Sequence, residues 1–132
     1  MRPPGVQRTA LLVALSAALF GASGAGAVRA DCARLHALAQ RHANDMARRE
    51  RLDHAGFRRH RGPAGAVAEN VAVGCANETC ARRLWQNSAP HAANMALGGC
   101  QAVASAVSKS GRRYWVLEIG PGGDVRNHEG RY

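Results

Sequence analysis

Residues 69–94 read ENVAVGCANETCARRLWQNSAPHAAN, and the succession of elements within them decides the fold. Val67 to Val73 is a short extended segment. Gly74-Cys75-Ala76-Asn77 follows as a turn. Asn77 or Thr79 then starts a helix through Trp85, with Leu84 and Trp85 predicted on its inner side. Ser88-Ala89-Pro90 breaks that helix, and Pro90 suits the first turn of a second, short one with Ser88 or Ala89 at its cap. This helix carries His91, Asn94, Met95 and Leu97, and Gly98-Gly99 ends it. The stretch also holds two of the four cysteines, one of the two tryptophans, and a Glu and a His placed to face each other.

Outward from that stretch the pattern is equally regular. Gln101 to Ser108 and Arg113 to Ile119 form a hairpin about the turn Ser108-Lys109-Ser110-Gly111. Trp115, Leu117 and Ile119 share one strand face; Tyr114, Val116 and Glu118 share the other. On the N-terminal side, Leu35, Leu38, Ala39, His42, Ala43, Met46 and Ala47 recur at helical spacing. Asp31 can cap this helix near Cys32, and it runs out near Arg51. His42 falls on its apolar stripe and reads as a packed, hydrogen-bonded residue. Leu52 to Phe57 is a link with Gly56 as its turn, and Arg58 to Gly65 (RRHRGPAG) reads as an exposed basic loop.

The chain has 132 residues, enough for one domain. Residues 1–30 have the order of a secretory leader: basic at Arg2 and Arg8, apolar from Thr9 to Ala22, then small residues at Ala25-Gly26-Ala27 and Val28-Arg29-Ala30. The domain is expected over 31–120, with a loose Gly-rich tail over 121–132. The apolar run is short for a bilayer span, so no transmembrane segment is expected after leader cleavage. The expected location is outside the cytoplasm, secreted or periplasmic. Four cysteines in such a chain read as two disulfides with three possible connectivities. Cys75 with Cys80, across the turn, and Cys32 with Cys100 is the favoured pairing.

There are 18 Lys and Arg against 9 Asp and Glu, and Lys109 is the sole Lys. Cleavage after Ala27 removes Arg2 and Arg8 and leaves 16 basic against 9 acidic residues, a net +7. Such a surface attracts anionic polymers and headgroups. Aromatic residues are too few for a base-stacking platform, so no specific nucleic-acid partner is expected.

The ordered motifs resemble those of the CAP superfamily, the cysteine-rich secretory, antigen 5 and pathogenesis-related 1 group, and especially its small bacterial exported members. The motifs run Ala-x-x-His-Ala-x-x-Met-Ala, Leu-x-His, Glu-Asn-Val-Ala, Trp-x-x-Ser-x-x-His-x-x-Asn-Met and a Tyr-Trp strand, over Leu35 to Gly120. The resemblance implies an α+β fold, an α-β-α sandwich with a small antiparallel sheet, here lacking the first family helix. It also implies a cleft lined by His54, Glu69, Ser88 and His91, with His54 and His91 as metal ligands for a divalent ion such as zinc. Ser88 occupies the position of the family's second acidic residue.

Three functions follow. A monomeric secreted module binds an unknown ligand, a lipid or envelope polymer, in this cleft without catalysis. Alternatively, a metal-dependent or His/Glu hydrolase uses Glu69 as base with His91 or Ser88 as partner. A third reading is adhesion to anionic envelope polymers through Arg58, Arg59, Arg61, Arg82 and Arg83.

Overall fold

The computed structural model describes residues 23–121, with side chains from residue 32 onward. Most of the expected leader and nearly all of the tail therefore lie outside the described residues. The elements are α1 (Ser23–Arg49), a single π-helical turn (Phe57–Arg61), β1 (Ala68–Val73), α2 (Glu78–Gln86), α3 (Ala89–Met95), β2 (Gln101–Val107) and β3 (Arg113–Ile119). Helices and a small antiparallel sheet make this an α+β fold.

The sheet is antiparallel in the order β1-β3-β2, so the last strand in sequence is the middle one in space. On one face, Ala39, Ala43 and Met46 of α1 pack against Val71, Ala104, Tyr114 and Val116. On the other, Ala81 and Trp85 of α2 pack against Ala72, Trp115, Leu117 and Ile119. Helices thus cover both faces, which is why β3 is buried along nearly its whole length. Its alternation is the expected one, with Trp115, Leu117 and Ile119 in one layer and Tyr114 and Val116 in the other. The sheet edges are tied by side chains: Trp85 Nε1 donates to Val71 O at 3.1 Å, and Gln40 Nε2 donates to Ser105 O at 3.0 Å. Such contacts occupy backbone acceptors that an open edge would leave unpaired.

Local differences from the sequence reading have physical causes. Helix α1 begins at Ser23, so Asp31 lies inside it and not at its cap. Residues 23–31 contain three Ala and no Pro, and Ala is the best helix former. Helix α1 ends at Arg49, where Glu50 takes a left-handed conformation (φ 51°) and Arg51 N–H donates to Met46 O. Helix α3 stops at Met95, short of Gly98-Gly99. Leu84 is 52 % exposed, whereas Ala81 and Trp85, one helical turn apart, face the core. The basic segment is not a uniformly exposed loop, because Phe57 and Arg61 are both buried.

Two disulfides fasten the frame: Cys32–Cys100 joins α1 to the start of β2, and Cys75–Cys80 closes the turn before α2. Among the described residues no helix is long and apolar enough to cross a membrane.

Candidate functional site

The site is built around a carboxylate with no access to water. Glu69 lies in β1 and is 0 % exposed. An unpaired buried charge costs several kcal/mol, so its partners decide whether it can remain ionised. Arg61 supplies the answer. Its Nη2 donates to Glu69 Oε1 at 2.9 Å and its Nε donates to Oε2, a two-pronged contact. Its third nitrogen, Nη1, donates to Ala55 O at 2.8 Å. The π-helical turn delivers this side chain inward. Gly56 precedes it with φ 80°, a conformation costly for other residues, and Gly62 N–H donates to Phe57 O at 2.8 Å to close the wide turn.

Two imidazoles flank the same carboxylate. His54 Nδ1 lies 2.8 Å from Glu69 Oε1, and the His54 side chain is 28 % exposed. His42 Nε2 sits 3.8 Å from Oε1 and makes its hydrogen bond to Asp53 O at 2.8 Å. Burial holds His42 below its ordinary range despite the neighbouring Glu69 charge. The packed role expected of His42 is therefore also a place in the wall behind His54.

Glu118 is opposite Glu69 in the register of β1 and β3 and is likewise 0 % exposed. Arg61 Nε lies 2.9 Å from Glu118 Oε1, but its single N–H is used by Glu69. Neither Glu118 oxygen has a hydrogen-bond donor. The consequence is opposite shifts in the two acids. Burial, and then the adjacent Glu69 carboxylate, push the Glu118 carboxyl up to about 10. Burial would raise Glu69 too, but contacts with His54, Glu118 and Arg61 hold it down to about 2.

His91 lies in α3, on the other layer of the fold. Its main chain is anchored by Asn70, the neighbour of Glu69, whose Nδ2 donates to His91 O at 3.1 Å. Asn94 Nδ2 in turn donates to Asn70 Oδ1 at 2.9 Å. Adjacent β1 residues thus serve opposite faces: Glu69 holds His54, and Asn70 holds the start of α3. His91 Nδ1 lies 2.8 Å from Ser88 Oγ. Ser88 occupies the N-cap position of α3, but its hydroxyl makes no cap bond. Burial is the main cause that lowers the His91 pKa.

Catalytic zinc takes three protein ligands and a water. His54 and His91 supply imidazoles, but Glu69 has both oxygens committed to Arg61 and His54, and Ser88 offers a hydroxyl where a carboxylate would serve. Among the described residues no three His, Cys, Asp or Glu side chains gather to hold a metal. The arrangement does not fit a three-ligand zinc site.

Arg61 and Glu118 were not among the site residues expected from sequence. Glu118 carried a signal, as the one acid in a strand whose other inward positions are apolar. Arg61 carried none, since RRHRGPAG has the composition of a solvated loop. No family model, curated protein or solved structure matches the chain.

Proposed function

We propose that the chain is an exported CAP-type domain acting as a ligand-binding module, with the cleft between His54 and His91 as its site. The observation that carries this reading is the Arg61–Glu69–His54 array, a buried ion pair holding a half-exposed imidazole in one orientation. Preorganised polar groups of this kind lower the ordering cost of binding. The motif order over Leu35 to Gly120 and the helices on both sheet faces support the family assignment. The two disulfides suit an oxidising compartment, hence a secreted or periplasmic location.

The ligand is a lipid headgroup or an envelope fragment. The test uses short-chain phosphatidylglycerol below its micelle concentration and a soluble cell-wall muropeptide as probes, followed by NMR of the imidazoles. One probe is expected to shift His54 and His91 together, and His54→Ala should abolish both shifts. Unmoved imidazoles with both probes would overturn the assignment of the cleft.

A second reading has its own observation. Ser88 Oγ and His91 Nδ1 are at the separation of a nucleophile and its base. Steady turnover of an aryl ester that disappears in Ser88→Ala would make the protein a hydrolase. The adhesive reading retains Arg58, Arg59 and Arg83 on the surface and loses Arg61, which is 6 % exposed and committed to Glu69.

A further inference from the structure

The Glu69–Glu118 pair has a role beyond holding the core together. Two carboxyls face each other across antiparallel strands, at a register position where like charges repel. Both are cut off from water, and one guanidinium lies between them. Arg61 distributes its donors unequally: two go to Glu69, one goes to Ala55, and none is aimed at Glu118. As a carboxylate, Glu118 would be a buried anion with neither oxygen satisfied, which is untenable beside a second anion. As a carboxylic acid it gains one O–H donor, and the acceptor across the strand is Glu69.

We infer that Glu118 is a neutral acid that serves as the positioning residue of the cleft, keeping Glu69 ionised so that His54 carries its proton on Nδ1. The hydrogen-bonded series runs Glu118 O–H to Glu69, and Glu69 Oε1 from His54 Nδ1–H at 2.8 Å. In the neutral ring the second nitrogen then holds a lone pair. In that tautomer Nε2 is the acceptor nitrogen of the ring. If the shared proton sat on Glu69 instead, Glu69 could no longer serve as the two-pronged partner of Arg61, and the His54 tautomer would be unfixed. His42, 3.8 Å from Glu69 Oε1, adds no competing donor, because its Nε2 is engaged with Asp53 O.

The role in the cleft rests on the binding reading above, whereas the protonation pattern is measured on the full chain with no ligand, so the two fail separately. Carbon-13 NMR of glutamate-labelled protein reads the Glu118 carboxyl directly. Nitrogen-15 long-range correlation spectra read the His54 tautomer. The expected result at neutral pH is an acid-type carbon shift for Glu118 and a predominantly Nδ1–H His54. Glu118→Gln, which retains a neutral donor, should leave the tautomer unchanged. Glu118→Ala should lose the Nδ1–H preference. A carboxylate-type shift for wild-type Glu118 overturns the inference even if neither variant folds. An unchanged tautomer in folded Glu118→Ala overturns its positioning role.

Discussion

Replacing Arg61 by Met keeps the reach of the side chain and deletes the guanidinium that neutralises Glu69. The buried carboxylate is then left without its principal partner, a situation that costs about 3–5 kcal/mol. That is a large share of the ~5–15 kcal/mol by which domains of this kind are stable. Arg82→Met is the reference substitution. Its partner Glu78 lies 2.7 Å away but is 51 % exposed, and an exposed helical pair of this spacing contributes only about 0.3–0.5 kcal/mol. Urea unfolding should show a sharply lower midpoint for Arg61→Met and almost none of that loss for Arg82→Met. Equal midpoints would mean that the pair beneath His54 is energetically idle. The same contrast explains why counting arginines said little about function. Arg58, Arg59 and Arg61 are nearly contiguous, yet one of them belongs to the core.

At the level of elements, the hairpin, β1 and the two short helices were legible because each has a local cause. Alternation marks β2 and β3. Asn77 accepts from Cys80 N–H at 2.9 Å as the cap of α2, and Pro90 sits in the first turn of α3. The start of α1 was not legible, since an Ala-rich run reads equally as leader and as helix. Nor was the inward turn of Arg61, which depends on the wide turn after Gly56 and on Glu69 across the fold. His54, Glu69 and His91 were singled out through motif order; the contact of His54 with Glu69 and the tie of Asn70 to His91 O both depend on β1 serving two layers, which no local pattern contains. The junction of α1 with the end of β3 offers a test of packing between elements. A methyl group added at Gly120 would sit 2.8 Å from Leu35 Cδ1 and 3.5 Å from Cys100 Cβ. Leu35 is 2 % exposed, so its side chain must repack within the core to admit the methyl group. Gly120→Ala should destabilise by about 1–3 kcal/mol through overpacking. In the background Leu35→Ala the same change should cost clearly less, a coupling measured by a double-mutant cycle. Additive losses would place the strain elsewhere.

For the whole molecule, the buried acids set how stability varies with pH. Glu69, held down by its partners to about 2, contributes stability that is complete above its ordinary value of 4.5 and is lost as pH falls towards 2. Asp53, held to about 2 chiefly by Arg49, acts in the same direction. Glu118 has the opposite sign. Its folded value of about 10 lies above its ordinary 4.5, so its contribution is complete below 4.5 and drains away as pH rises through 10. The thermal midpoint should therefore decline as pH rises above neutrality, and Glu118→Gln should flatten that alkaline limb. A wild-type decline that persists unchanged in Glu118→Gln would assign it to other groups. The strand order has a consequence of a different kind. Among the described residues both β1 and β2 pair only with β3, the last element in chain order. A chain emerging from a ribosome cannot complete this sheet until residue 119 is through. A stop codon anywhere before Arg113 leaves two strands that have no native partner. The sheet, as distinct from the helices, is thus closed by the strand that is made after both of its neighbours.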